Sequence, residues 1–210
     1  MAPSRDRTGS GRIGGRGRRP LARSETARAF RALTREIQSC RRCPLGSTRT
    51  QAVVYRGSLR PRVVFVGEAP GAREDATGVP FSGRAGARLD AAIGRLPLKA
   101  GDFGVLNLLK CRPPENRFDR AAADTCRPYL DRQLELLRPR ILVPLGAHAL
   151  RALDPSAPAV LRAAGAPRGG PGRRVFPLIH PAAALRSRRL SARWERDVDV
   201  LAGWLASLRE

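Results

Sequence analysis

Long apolar runs are missing from this 210-residue sequence. No stretch approaches the ~18 apolar residues that a membrane span needs, and the N-terminus lacks the apolar core of a signal peptide. Lysine is nearly absent: Lys99 and Lys110 are the only two, so Arg supplies all the other basic residues. Acidic residues are scarce, with 18 Asp+Glu against 40 Lys+Arg, and there are only two His. The four Cys are too few and too unevenly spaced for a secreted disulfide scaffold. A chain of this length can bury a core without such staples. These absences lead to the expectation of a cytoplasmic chain, away from membranes and with reduced thiols, in which a Cys cluster speaks for metal.

The dominant feature present is charge. A formal net charge of +22 points first to a polyanionic partner, and nucleic acid is the commonest. Coding bias in a GC-rich genome would also enrich Arg. The guanidinium nonetheless grips phosphate through paired N–H groups, so that origin does not weaken the reading.

Residues 1–23 carry seven Arg, one Asp and almost nothing apolar. Such a segment cannot bury enough surface to offset its ordering entropy, so it reads as a disordered basic arm ahead of one domain at 24–210. From Ser24, the expected cap, Ala27, Phe30, Leu33 and Ile37 recur at helical spacing. Four short apolar runs follow, at Val63–Val66, Phe103–Leu109, Ile141–Leu145 and Val175–Ile179. None alternates cleanly, as suits strands buried on both faces of a parallel sheet. Helical patterns occupy Ala85–Leu96, Arg120–Leu137, Ala147–Leu153, a short piece near Ala159–Ala164, and Ala192–Leu208. Strands alternating with helices predict an α/β fold in three α/β/α layers, with chemistry beyond the C-terminal strand ends.

Polar groups collect at those ends. The first strand runs into Gly67-Glu68-Ala69-Pro70-Gly71, the second carries Asn107 inside an apolar run, and the fourth ends in His180-Pro181. Three polar groups arriving at one sheet edge are the signature of a binding pocket. Cys40 and Cys43 form C-x2-C, while Cys111 follows the second strand and Cys126 lies in a predicted helix, so all four can meet. Spacing alone admits either Zn or a 4Fe-4S cluster.

These residues resemble a known family. Gly67–Gly71 followed by Glu74-Asp75, and then GVPFSGRAG at 78–86, resembles the first motif region of family 4 uracil-DNA glycosylases. NLLKCRPPENR at 107–117 is similar to their second block, and HPAAALR at 180–186 to their final motif. The four Cys match the family's iron–sulfur spacing, and the resemblance runs in order from Cys40 to Arg186. It implies a central four-stranded parallel sheet and a 4Fe-4S cluster on Cys40, Cys43, Cys111 and Cys126. It also implies a monofunctional hydrolase that flips uracil out of DNA and cleaves its N-glycosidic bond, opening base excision repair. The expected partner is uracil-containing DNA, with the chain acting as a monomer.

The resemblance gives the residues roles that physical chemistry supports. A base must leave the duplex before its glycosidic bond is reachable. Phe81 would stack on it, and Asn107 offers the donor and acceptor that a uracil edge requires. His180 would donate to uracil O2 as charge grows on the leaving base. Gly67, Ala69, Gly71 and Asp75 complete the expected substrate-binding set. Family 1 enzymes place a water-positioning Asp where this chain has Ala69, and a methyl-excluding Tyr where it has Gly71. Glu68 is therefore the candidate for the water, with Asp75 behind it. Leu185 would wedge into the base stack, while Arg186, Arg188 and Arg189 meet phosphates. His148, at a helix start outside the motifs, reads as structural. Neither Lys suits Schiff-base chemistry, and no His lies between Lys110 and Cys126 for covalent capture of DNA. The alternatives are the same fold acting on another deaminated base such as hypoxanthine, and a non-catalytic, metal-stapled nucleic-acid binder.

Overall fold

The structure is a computed structural model that describes residues 21–169 and 174–208. Most of the expected basic arm, residues 1–20, lies outside the described residues. Among the described residues the strands are β1 (Arg56–Gly57), β2 (Val63–Gly67), β3 (Phe103–Asn107), β4 (Ile141–Pro144) and β5 (Arg174–Val175). They form one sheet in the order β1-β3-β2-β4-β5. The four strands β3, β2, β4 and β5 run parallel, and β1 adds an antiparallel edge to β3. The helices are α1 (Arg23–Ser39), α2 (Leu45–Thr48), α3 (Ala72–Thr77), α4 (Arg84–Ile93), α5 (Arg120–Leu137), α6 (Ala147–Leu153), α7 (Val160–Ala163), α8 (Pro181–Ala184) and α9 (Arg188–Ser207).

Strand β2 shows why the fold has three layers. All five of its residues are buried, and its side chains alternate between faces. Val64 and Val66 pack with Phe30, Leu33 and Ile37 of α1 and Leu130 and Leu134 of α5. Val63 and Phe65 pack with Leu89 and Ile93 of α4 and Trp194, Val198 and Leu201 of α9. Each such fully buried side chain contributes roughly 1.5–3 kcal/mol, so both covering layers are held by the same strand.

Several boundaries differ from the sequence reading for local reasons. Helix α1 begins at Arg23 and its N-cap is Ala22, not Ser24, with the Glu25 carboxylate accepting from the Ala22 N–H at 2.7 Å. Helix α9 starts four residues earlier than its apolar stripe, because the Ser187 hydroxyl accepts from the Leu190 N–H at 3.4 Å. The expected strand at Val175–Ile179 is ladder-paired only at Arg174–Val175, with isolated bridges between Leu145 and Leu178 and between Arg168 and Val175. The Phe176 and Leu178 N–H groups still donate to the Leu142 and Pro144 carbonyls at 2.9 and 3.0 Å, but Pro144 has no N–H to return to this segment, which interrupts the ladder. Strand β3 stops at Asn107, and the N–H groups of Leu108 and Leu109 turn to the Gly67 and Glu68 carbonyls at 2.9 Å each. That crossing ties the ends of β3 and β2 together.

Candidate active site and cysteine cavity

The strand order places Asn107 at the end of β3, Gly67 and Glu68 at the end of β2, and Gly146 and His148 after β4. His180 closes the segment after β5. All of them therefore sit along the C-terminal edge of the parallel sheet.

Gly67 is the point of closest approach. A Cβ there would lie 2.3 Å from Asn107 Oδ1 and 2.5 Å from Phe81 Cζ, so the missing side chain lets the amide and the ring meet over bare backbone. Asn107 is 1 % exposed, and its Oδ1 has no hydrogen-bond partner. An unpaired buried acceptor costs about 1–3 kcal/mol, which a ligand with a matching donor would recover. Phe81 is buried and holds φ 56°, a left-handed conformation rare for an aromatic residue. Gly86 in α4 allows it: a Cβ at Gly86 would lie 1.8 Å from the Phe81 carbonyl oxygen.

His180 caps α8. Its Nδ1 accepts from the Ala182 N–H at 3.2 Å, which leaves the ring hydrogen on Nε2. Burial, helped by the positive charge of Arg186 and opposed by Glu74, lowers its pKa to about 4. The imidazole is thus a neutral Nε2–H donor at physiological pH. Its ring centroid is 6.0 Å from that of Phe81, and Gly146, at φ +93°, leaves room beside its Cβ.

Glu68 is half-buried, and its side chain keeps 28 % exposure. Burial raises its carboxyl pKa, and the neighbouring His148 acts in the opposite direction. His148 Nε2 stands 3.9 Å from Glu68 Oε2, and its ring stacks on Phe118 at 3.7 Å between centroids. Sequence reading missed this pair, because nothing local in LGAHAL announces that β4 lies beside β2.

The two acidic residues after Gly71 are not a solvated turn. Glu74 accepts from the Gly71 N–H at 3.1 Å and the Gly83 N–H at 2.8 Å, tying the loops before α3 and α4. Asp75 is buried, and both its oxygens accept from the Thr50 N–H at 3.1 Å, with Gln51 N–H at 3.5 Å. That carboxylate is occupied by backbone donors and ties the start of α3 to the Thr50–Gln51 segment. Ala69 is half-buried beside Glu68, Leu185 is 39 % exposed at the end of α8, and Arg186, Arg188 and Arg189 are exposed next to it.

The four Cys meet elsewhere, on the α1 and α5 side of the sheet. Cys40, Cys43, Cys111 and Cys126 line one cavity with Arg42, Arg49, Lys110 and Tyr129. All four are free thiols, the first two half-buried and the others buried. Arg49 Nη1 donates to Cys111 Sγ at 2.9 Å, and the Arg42 N–H to Cys40 Sγ at 3.5 Å. Burial raises the Cys111 and Cys126 thiols above their usual range, against the pull of Arg49 on the first and Lys110 on the second. Among the described residues, no group of three or more His, Cys, Asp or Glu is set to hold a metal ion. No helix among them is long and apolar enough to cross a membrane.

Comparison with known proteins agrees with this layout. The model of the uracil DNA glycosylase superfamily matches residues 54–199. The type-4 uracil-DNA glycosylase of Pyrobaculum aerophilum is 36% identical over 176 residues, covering 80% of this chain and 90% of the relative. That of Archaeoglobus fulgidus is 38% identical over 174 residues, covering 79% and 87%. That of Thermotoga maritima is 38% identical over 163 residues, covering 74% and 83%. The matched span takes in the whole strand-end cluster, and the chain belongs to the uracil DNA glycosylase superfamily, alongside its type-4 members.

Proposed function

We propose that this protein is a monofunctional uracil-DNA glycosylase whose strand-end cluster binds a flipped uracil and hydrolyses its N-glycosidic bond. The observation that carries the reading is the buried, unpaired Oδ1 of Asn107 beside the Phe81 ring. An amide presents one acceptor and two donors, which match uracil N3–H and O4. Cytosine presents the opposite pattern at the same edge, so it would leave buried groups unpaired. Phe81 stacks on the base, and His180 directs its Nε2–H to O2. A neutral, preorganised donor gains most as the departing base becomes an anion. Glu68 holds the attacking water, its half-buried carboxylate set at the end of β2. Gly67, Ala69 and Gly71 keep the backbone close to the base, and Asp75 steadies the loop they belong to. Leu185 fills the gap in the stack while Arg186 meets phosphate.

The cysteine cavity fits a 4Fe-4S cluster held by Cys40, Cys43, Cys111 and Cys126. The donor set supports this: four thiols face one cavity, with N–H groups on two sulfurs and a buried cation beside them. In a cluster each thiolate needs to reach only its own iron, whereas one Zn would need all four sulfurs within ~2.3 Å. When bound, the cluster would act as a clamp on the end of α1, α2, the segment after β3, and α5.

Single-turnover incubation with oligonucleotides carrying one U, one hypoxanthine or one T mismatch, scored for alkali-labile abasic sites, tests the reading. Excision of U is the expected result. Excision of hypoxanthine alone, or none at all, would overturn it.

A further inference from the structure

His148 belongs to none of the motifs, yet it is the side chain that faces the Glu68 carboxylate. Three observations define its setting. Its Nε2 lies 3.9 Å from Glu68 Oε2, beyond hydrogen-bond range. Its ring is held flat against Phe118, with centroids 3.7 Å apart and planes 18° apart. Its backbone is the second residue of α6, entered through Gly146 at φ +93°, whose N–H is bonded to Leu178 at 2.9 Å. The imidazole is therefore fixed in a position near Glu68 but not touching it.

That separation suits one water. A water at about 2.8 Å from each atom subtends roughly 90°, close to its own H–O–H angle. One hydrogen then points to Glu68 Oε2 and the other to His148 Nε2, with the Nδ1–H tautomer of the ring. Both hydrogens are engaged and a lone pair is left free. A single carboxylate leaves such a water free to swing; a second acceptor does not.

We propose that His148 is a further hydrolytic residue, which with Glu68 holds and orients the attacking water. The inference rests on the uracil-excision reading above. In the step, the C1′–N1 bond breaks and its electron pair leaves with the base. The water oxygen bonds to C1′, and its proton passes to the Glu68 carboxylate. The same proton is later returned to the uracil anion, leaving neutral uracil and an abasic sugar. His148 accepts the second hydrogen bond throughout and stays unchanged. Phe118 keeps the ring in place.

The test uses the full chain and single-turnover excision on saturating uracil-containing duplex. His148→Ala is expected to slow excision by about tenfold to a hundredfold, the lower end of general-base effects because Glu68 remains. Its affinity for abasic product DNA and its melting temperature should stay as in the wild type. The side chain is 47 % exposed, so added imidazole can reach the vacated space and should restore part of the rate. In a Glu68→Gln background the same substitution should change the rate less than about twofold, as coupled groups do. His148→Gln keeps an acceptor and should retain more activity than His148→Ala, which covers the case of a poorly folded alanine variant. Wild-type rate in His148→Ala beside a slow Glu68→Gln would overturn the inference and leave the excision reading standing. A slow His148→Ala that imidazole does not rescue and that multiplies fully with Glu68→Gln would also overturn it. Failure of the wild-type chain to excise uracil would remove the reading itself.

Discussion

The buried ammonium of Lys110 donates to the carbonyl oxygen of Asn107 at 2.5 Å. One side chain thus connects the residue proposed to read the uracil edge to the cysteine cavity, which Lys110 also lines. Burial lowers the Lys110 pKa to about 8, and negative charge on Cys126 and Cys111 would act to raise it. A charge buried this completely is costly unless paired, so thiolates bound to a cluster would be its natural counter-charge.

Lys110→Met removes that charge at similar volume. Excision should slow by about tenfold, the rate equivalent of ~1.4 kcal/mol lost from the orientation of Asn107. Visible absorbance of the purified protein should also fade faster under a chelator. Wild-type values for both would show that Lys110 only fills space.

Asn107→Ala and His180→Ala should each lower the single-turnover rate by on the order of 10²–10³, the usual cost of one oriented donor on a developing anion. Asn107→Ala should be at least as severe, because it leaves the uracil edge unpaired as well. Near wild-type rates in both would defeat the assignment, since no other side chain of the strand-end cluster is placed to stabilise the departing base.

His180 links stability to pH. Its folded pKa of about 4 is below the ordinary 6.5, so the unfolded chain binds the extra proton first. The neutral ring's contribution is complete above pH ~6.5 and is lost progressively as pH falls toward ~4, reaching about 3 kcal/mol. Denaturant titrations of wild type and His180→Asn across that window should differ by this component. Parallel curves would remove it.

Gly67→Ala puts a methyl where Asn107 Oδ1 and the Phe81 ring now meet. Both side chains must shift, and a displacement near 1 Å costs on the order of 10²-fold. The melting temperature should change little by comparison. Gly86→Ala, which meets the Phe81 backbone instead, should destabilise the fold measurably.

Salt dependence reports phosphate contacts. Arg186→Ala should flatten the slope of log affinity against log salt by roughly 0.9. Deleting residues 1–20, which hold six of the seven Arg before Ser24, should flatten it further and leave turnover on saturating DNA intact. The cut stops at 20 because Ala22 and Arg23 already belong to the start of α1. An unchanged slope after the deletion would show that the segment makes no phosphate contact.

Sequence alone was enough for the layered architecture and for picking out the polar residues that meet at the strand ends and the four Cys that share a cavity. Apolar runs such as VVFV cannot be solvated on either face, so they predict strands covered by helices. An Asn inside VLNLL and a His before Pro are costly or unusual wherever they fall, so they stand out without coordinates. Four Cys without a disulfide context likewise announce themselves. The tertiary structure decided what depends on strand order and on single hydrogen bonds. Because β4 lies beside β2, His148 reaches Glu68, although 79 residues separate them along the chain. The Ala182 N–H sets the His180 tautomer, and the Thr50 and Gln51 N–H groups claim Asp75. Pairings like these involve groups far apart in sequence or backbone amides without a residue signature, so no local pattern encodes them, and only the packed sheet brings them together.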